Sequence, residues 1–266
     1  MPGYNLELKQ VDNIPYLTSP KVFQEGSILV AFTTRHGGYS SSYYSSLNLA
    51  FHVGDNPDHV RKNRQKLCAN LGVDPKKMTT ADQVHSSNIR VVTEELTGAG
   101  ALESGDAIPR TDALITDLTD SPLVVFMADC LPLVLVDPLR KVVAVVHAGW
   151  QGIYSDVVSK SLDTMEQSFA SPPQDVIVFI GPGIGPCCYT VDSSMVQKFR
   201  QKFPFVGEHQ RSLDLKLIAR RGLVEKGVGE ENIYESGICT SCRNDMFFSY
   251  RKERRCGRQA AIVAIM

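Results

Sequence analysis

The chain has 266 residues, 43% of them apolar, enough to build the core of one large domain or two small ones. Lys plus Arg number 28 and Asp plus Glu 29, and the resulting net charge of −1 gives no global attraction to nucleic acid or anionic membrane. No apolar stretch is long enough to span a bilayer, and the opening MPGYNLELKQ lacks the basic-then-apolar pattern of a signal peptide, so a cytoplasmic protein is expected.

In chain order, SILVAFTTR (27–35) predicts the first strand. HGGYSSSYYSSLNLAFHVGD is a long loop rich in Gly, Ser and Tyr, and such loops are often functional. NPDHVRKNRQKLCANLG (56–72) predicts a helix: Asp55 or Asn56 can cap it, Pro57 suits its first turn and Gly72 stops it. Cys68 falls on its apolar side with Leu67 and Leu71, where a small buried thiol is inert. IRVVTEE, TDALITD, LVVFMAD, PLVLVDP and KVVAVVHA follow as strands. Several are apolar almost throughout, which places them mid-sheet with both faces covered. VDPLRK is a turn that makes one pair antiparallel.

Residues 152–170 predict one amphipathic helix with Ile153, Val157, Leu162, Met165 and Phe169 on a shared face. DVIVFIGPGIG returns as a strand entering a Gly/Pro turn. SSMVQKFRQKF and LDLKLIARRGLVEKGV are further helices, and FFSYRK and QAAIVAIM close the chain as strands. Hairpins mixed with helices exclude a doubly wound nucleotide fold. GPGIGP fails the dinucleotide pattern, because it carries prolines and no helix with a phosphate-binding start follows. No internal repeat, low-complexity tract or interdomain linker is present.

Three residues far apart in sequence carry the chemistry. His85 lies in TTADQVHSSNIRVV, Cys130 in LVVFMADCLPLVLVD and His147 in VVAVVHAGWQG, each at or near the end of an apolar run. Strand ends opening into loops are where folds place functional groups. One thiolate and two imidazoles suit zinc and leave a fourth position for water or substrate, as in an enzyme. Gly149 and Gly152 let the backbone approach a ligand closely. Trp150, the only tryptophan, can wall a pocket or fill the core. A lone strand histidine is more often structural than a ligand, and these spacings do not identify a site unaided.

The segments TTRHGGYS, SLNLAFHVGD with VRKNRQKL, QVHS, TDALIT, ADCLPLVLVD, VAVVHAGWQG, IGPGIGPCCYTV, LDL and CTSCRNDMFFSYR with GR occur in this order. In them the chain resembles the YfiH-type proteins, from about Ala31 to the C-terminus. These are the laccase-domain family, also called multicopper polyphenol oxidoreductases or peptidoglycan editing factors. The resemblance implies a single catalytic domain over residues 1–266 with an α+β fold. Mixed, largely antiparallel sheets would pack with helices in a layered sandwich, similar to the catalytic domain of Cys-His toxin deamidases. It implies a Zn2+ site of His85, Cys130 and His147. It implies phosphorolysis of adenosine, inosine, guanosine and methylthioadenosine, with hydrolytic deamination of adenosine. The small-molecule partners are then purine nucleosides and phosphate. Copper is disfavoured, because none of the six histidines forms a His-x-His pair.

Around the three ligands, Arg35 and Arg64 are candidate phosphate donors, since a guanidinium matches two phosphate oxygens. Asn48 is a candidate for the ribose or base. Gln83 would share a side with His85 in an extended segment and read the purine edge. Asp129 is a candidate for catalytic proton transfer, for orienting a ligand, or for capping the turn. His36 is a candidate for the pocket mouth, whereas His52 and His59 read as surface or packing residues and His209 as an exposed loop residue. Arg243, Arg251, Arg254, Arg255 and Arg258 form a local basic patch able to attract phosphate.

Seven cysteines, an odd count, favour free thiols and metal ligands over a disulfide framework. Cys188 matches the family position, and Cys187, Cys242 and Cys256 read as additions. Cys239, Cys242 and Cys256 lack a fourth metal ligand at a suitable spacing and read as ordinary thiols. Three alternatives stand beside the nucleoside reading. One is a Cys-His amide hydrolase editing peptidoglycan precursors, with Cys130 as nucleophile activated by His147 or His85. The others are a laccase-like polyphenol oxidase and a binding protein without turnover.

Overall fold

The computed structural model describes residues 5–103, 105–207 and 211–266; His209 lies outside them. Strands β1 (Glu7–Val11) and β2 (Ile14–Thr18) form a hairpin turned at Asp12 and Asn13, whose φ values of 44° and 65° suit these two residue types. Helix α1 (Pro20–Gly26) leads to β3 (Ile28–Thr33). Helix α2 (Pro57–Leu71) starts where the Asn56 side chain accepts from Asp58 N and stops at Gly72, with φ 73°. Then come β4 (Ile89–Val91), β5 (Ala113–Thr116), β6 (Leu123–Met127), β7 (Leu131–Asp137) and β8 (Val142–Ala148). Helices α3 (Trp150–Tyr154) and α4 (Val157–Phe169) precede β9 (Ile177–Ile180). Helices α5 (Ser193–Lys202) and α6 (Leu215–Glu225), β10 (Ile233–Glu235), α7 (Tyr250–Glu253) and β11 (Gln259–Ile265) complete the fold.

Two sheets result. One has the order β1-β2-β3-β11-β6 and is antiparallel throughout. The other has the order β10-β9-β7-β8-β5-β4, with parallel pairs only at its two edges. The apolar runs explain the layering, because alternate residues of a strand point to opposite faces. Val134 and Val136 of β7, with Val143 and Val145 of β8, meet Val30, Phe32, Val125 and Val263 of the first sheet. Leu133, Leu135, Ala144 and Val146 face the other way, onto Leu162 and Met165 of α4, Phe199 of α5 and Ile218 of α6. The outer face of the first sheet packs Ala31, Val124 and Ile262 against Leu67, Cys68 and Leu71 of α2. The layers are therefore helix, sheet, sheet, helices, an α+β sandwich. No helix among the described residues is long and apolar enough to cross a membrane.

Two expectations are corrected. The single helix over 152–170 is two, because Asp156 adopts a left-handed φ of 63°. Lys202 Nζ bonds both the Tyr154 carbonyl and the Asp156 carboxylate there, which fixes the break. FFSYRK is not a strand. The Gln259 side chain takes both backbone groups of Phe248, and Ser249 caps the one-turn helix α7.

Candidate active site

β7 and β8 are antiparallel neighbours, with Leu131 opposite Ala148, so the start of β7 and the end of β8 lie at the same end of the sheet. Cys130 immediately precedes β7, and His147 is near the end of β8. His85 arrives on the loop before β4. The Cys130 Sγ stands 3.6 Å from His85 Nε2, and the two imidazoles meet edge-on with centroids 4.9 Å apart. One ligand atom from each of the three residues lies within 4.8 Å of the others, so the set can hold a metal ion.

Asp112, at the head of β5, organises the centre and was missed in the sequence. It is fully buried. Its Oδ1 accepts from His147 Nδ1 at 2.8 Å and from His85 N at 3.0 Å; its Oδ2 accepts from Ser86 N at 2.6 Å and Ser86 Oγ at 2.7 Å. Burial pushes its carboxyl up, but the hydrogen bonds from His147 and Ser86 win and hold it below the usual range. With Nδ1 committed to Asp112, His147 has only Nε2 to offer a metal. The only signal was an Asp entering the apolar run TDALIT, and many such residues merely start a strand.

Without metal, Cys130 and His147 form a thiolate–imidazolium pair. Burial opposes the Cys130 thiolate, but the charge and hydrogen bond of His147 and the hydrogen bond of His85 bring it down to about 6. Burial likewise opposes the charged His147, but the Cys130 thiolate and Asp112 raise it to about 9. Gly149 makes this crowding possible. A Cβ there would lie 2.8 Å from His85 Cδ2 and 3.2 Å from Cys130 Sγ. At Gly152 it would meet the Ser86 carbonyl at 3.1 Å.

The three residues border a cavity of about 670 Å³ whose walls include Phe51, Phe126, Trp150, Tyr189 and Tyr250. Arg251, Arg254 and Arg258 line it too, so part of the basic patch reaches the site, whereas Arg243 pairs with Asp245 and Arg255 bonds the Tyr44 hydroxyl. A depression of similar volume near Arg90 and Lys160 is wide open and holds none of the three residues.

The remaining candidates divide. Asp129 lines the cavity in a left-handed conformation, φ 85°, with its carboxylate held by Thr240 Oγ1 at 2.7 Å and Arg251 N at 2.6 Å. It shapes the turn that aims Cys130, and the chain is not extended at Asp129. Gln83 lines the cavity, but its amide bonds both backbone groups of Phe126; His85 has φ 59°, so that segment is not extended either. Arg64 is buried on the wall, stacked between Phe51 and Phe126, and its Nε and Nη1 donate to the carbonyls of Leu49, Gly100 and Ala101. Burial lowers its pKa to about 9, which leaves it charged at neutral pH.

Arg35 is outside the cavity lining. It donates to the Ser45 and Asn244 carbonyls, pairs with Glu253 and lies over Phe248. Asn48 is fully buried and braces the loop through Ala50, Asp55 and Arg258 N. His36 bonds the Asp245 carbonyl away from the cavity, and His52, read as a surface or packing residue, lines it. Cys187 and Cys188 meet Cys239 and Cys242, supplying the partners that the C-terminal cysteines lacked in sequence; Cys256 is buried elsewhere beside Phe248.

The family described as multi-copper polyphenol oxidoreductase laccase matches residues 29–266. The purine nucleoside phosphorylase YlmD of Geobacillus stearothermophilus is 36% identical over 88% of this chain and 89% of its own length. The purine nucleoside phosphorylase YfiH of Escherichia coli K12 is 32% identical over 93% and 98%. The crystal structure of YlmD from Geobacillus stearothermophilus superposes with a TM-score of 0.90 at 34% identity, covering 99% of each chain. That of Bacillus licheniformis YfiH gives 0.90 at 33% identity over 97% of this chain and 99% of that one.

Proposed function

Because the chain belongs to the multi-copper polyphenol oxidoreductase laccase family, with YfiH and YlmD proteins as relatives, we propose that it is a zinc-dependent purine nucleoside phosphorylase that also deaminates adenosine. One observation carries the reading: the His85, Cys130 and His147 set borders a cavity that combines aromatic rings with arginines. The donors fit zinc, since two imidazoles and one thiolate leave an open position and Asp112 fixes one imidazole. A multicopper oxidase would need further histidine clusters, and the described residues hold none.

Phosphorolysis forms a bond between a phosphate oxygen and ribose C1′ while the C1′–N9 bond breaks. The base leaves with the bonding pair and takes up a proton. Arg251, Arg254 and Arg258 offset the phosphate charge, replacing the assignment of Arg35, and the rings of Phe51, Trp150 and Tyr250 give a purine faces to stack on. Burial and Arg258 lower the pKa of His52, and the side chains of His52 and Asp82 line the cavity where they can hydrogen-bond the base. When bound, zinc supplies Lewis-acid polarisation of an oxygen at its open position. Deamination needs the same arrangement with water adding to C6 of adenine and ammonia leaving.

The test is incubation of zinc-loaded protein with adenosine, with and without phosphate, beside Cys130→Ala. Phosphate-dependent adenine and phosphate-independent inosine, both lost in the variant, are expected. No product under either condition overturns the reading. A second reading is favoured by one feature: Cys130, His147 and Asp112 line up as thiol, imidazole and carboxylate, as an amide hydrolase requires. Zinc makes that thiolate unavailable as a nucleophile, so amide hydrolysis that survives chelation and is lost on alkylating Cys130 would replace the phosphorylase reading.

A further inference from the structure

A second group of side chains of a kind that can bind a metal lies apart from the His85, Cys130 and His147 set. Cys187 and Cys188 follow the Gly/Pro turn after β9, and Cys239 and Cys242 form a Cys-x-x-Cys pair between β10 and α7. All four sulfurs lie within 4.8 Å of one another, and Cys242 Sγ is 3.5 Å from both Cys187 Sγ and Cys188 Sγ. A zinc ion held by four thiolates at about 2.3 Å spaces its sulfurs about 3.8 Å apart, so the cluster has the size of such a site.

One backbone N–H reaches the cluster. Gly185 N donates to Cys239 Sγ at 3.2 Å. The Lys216 ammonium bonds the Ile238 carbonyl, one residue before Cys239, at 2.7 Å. The two turns are already joined by Thr240 N donating to Gly183 O at 3.2 Å.

We propose that Cys187, Cys188, Cys239 and Cys242 bind a second zinc ion with a structural role. With four protein ligands the ion has no open position, unlike one at the first site. Its position explains what it would hold. Thr240, within the Cys-x-x-Cys pair, bonds the Asp129 carboxylate, and Ile184 N bonds the Asp129 carbonyl at 2.8 Å. Asp129 sets the turn that aims Cys130. The second ion therefore pins both loops that fix this turn, and Ile184 and Tyr189 of the cavity wall with them. The proposal does not depend on which substrate the cavity takes.

The test is the metal content of the purified full chain, compared with Cys130→Ala and with the double variant Cys187→Ser/Cys242→Ser, both of whose changes are at exposed positions. Two zinc ions per wild-type chain are expected, and the double variant should lose one while keeping the one that Cys130→Ala loses. Zinc content unchanged in the double variant, iron in place of zinc, or a disulfide joining Cys242 to Cys187 or Cys188 would overturn the proposal. Should the double variant fail to fold, cobalt-loaded wild type decides. Sulfur-to-cobalt absorption of four-thiolate intensity supports the site, and one-thiolate intensity refutes it.

Discussion

Asp112→Asn is the sharpest perturbation of the centre. The wild-type carboxylate accepts from His147 Nδ1 and His85 N at Oδ1, and from Ser86 N, Ser86 Oγ and, at 3.3 Å, Val84 N at Oδ2. Asparagine keeps the three contacts at Oδ2 only by placing its NH2 where Oδ1 was. His85 N then loses its acceptor, and His147 Nδ1 must accept rather than donate, which moves the ring proton to Nε2. That is the nitrogen a metal needs. One buried donor left unpaired and one charged acceptor lost cost about 2–4 kcal/mol of stability. The tautomer change weakens zinc by about 10- to 100-fold, in line with other lost partners of metal-bound histidines. Urea unfolding of the metal-free protein reads the first quantity, and competition with a chromogenic chelator reads the second. Zinc affinity at the wild-type level would refute the argument that Asp112 sets the His147 tautomer, whatever happened to stability.

Three further outcomes follow from the geometry. Gly149 has φ −69°, which alanine accepts, so Gly149→Ala should weaken zinc at least about tenfold by displacing His85, while stability changes by under about 1 kcal/mol; unchanged zinc affinity would contradict the close approach. In metal-free protein, the Cys130 thiolate fraction grows as pH rises through about 6, so its alkylation by iodoacetamide should reach half its plateau rate near that pH and stop on zinc loading. A rate still climbing at pH 9 would show that the histidines do not activate it. Arg64→Met strips bonds from three carbonyls and should cost about 2–4 kcal/mol in an unfolding titration without raising the phosphate KM; a raised KM at wild-type stability would make Arg64 a phosphate ligand.

The strands of the second sheet were readable because β7 and β8 are buried on both faces, and that leaves an apolar run with no other home. The hairpin of β1 and β2 was not read, since β1 is almost wholly exposed and its residues carry no alternation. At the site, the three ligand candidates were legible by residue type and by position at the ends of apolar runs. Asp112 was not, because its role comes from contacts with residues 84 to 86 and 147 that only the folded sheet brings together. Arg35 and Asn48 show the opposite case. Their residue types fit substrate recognition, yet their polar atoms hold the long loop to the segment before β11. The four-cysteine group could not be read from spacing, because its two halves are 51 residues apart between Cys188 and Cys239, and a parallel bridge between Gly183 and Cys239 joins them.

β11 lies between β3 and β6, bonded to both, although it follows them by more than 130 residues. A nascent chain emerging from the ribosome therefore cannot complete the first sheet until β11 has been made. Until then β3 and β6 each present an unsatisfied edge, and the arginines just before β11 cannot take their places around the cavity. Synthesis thus delivers β7 and β8, with Cys130 and His147, long before the arginines of the cavity wall.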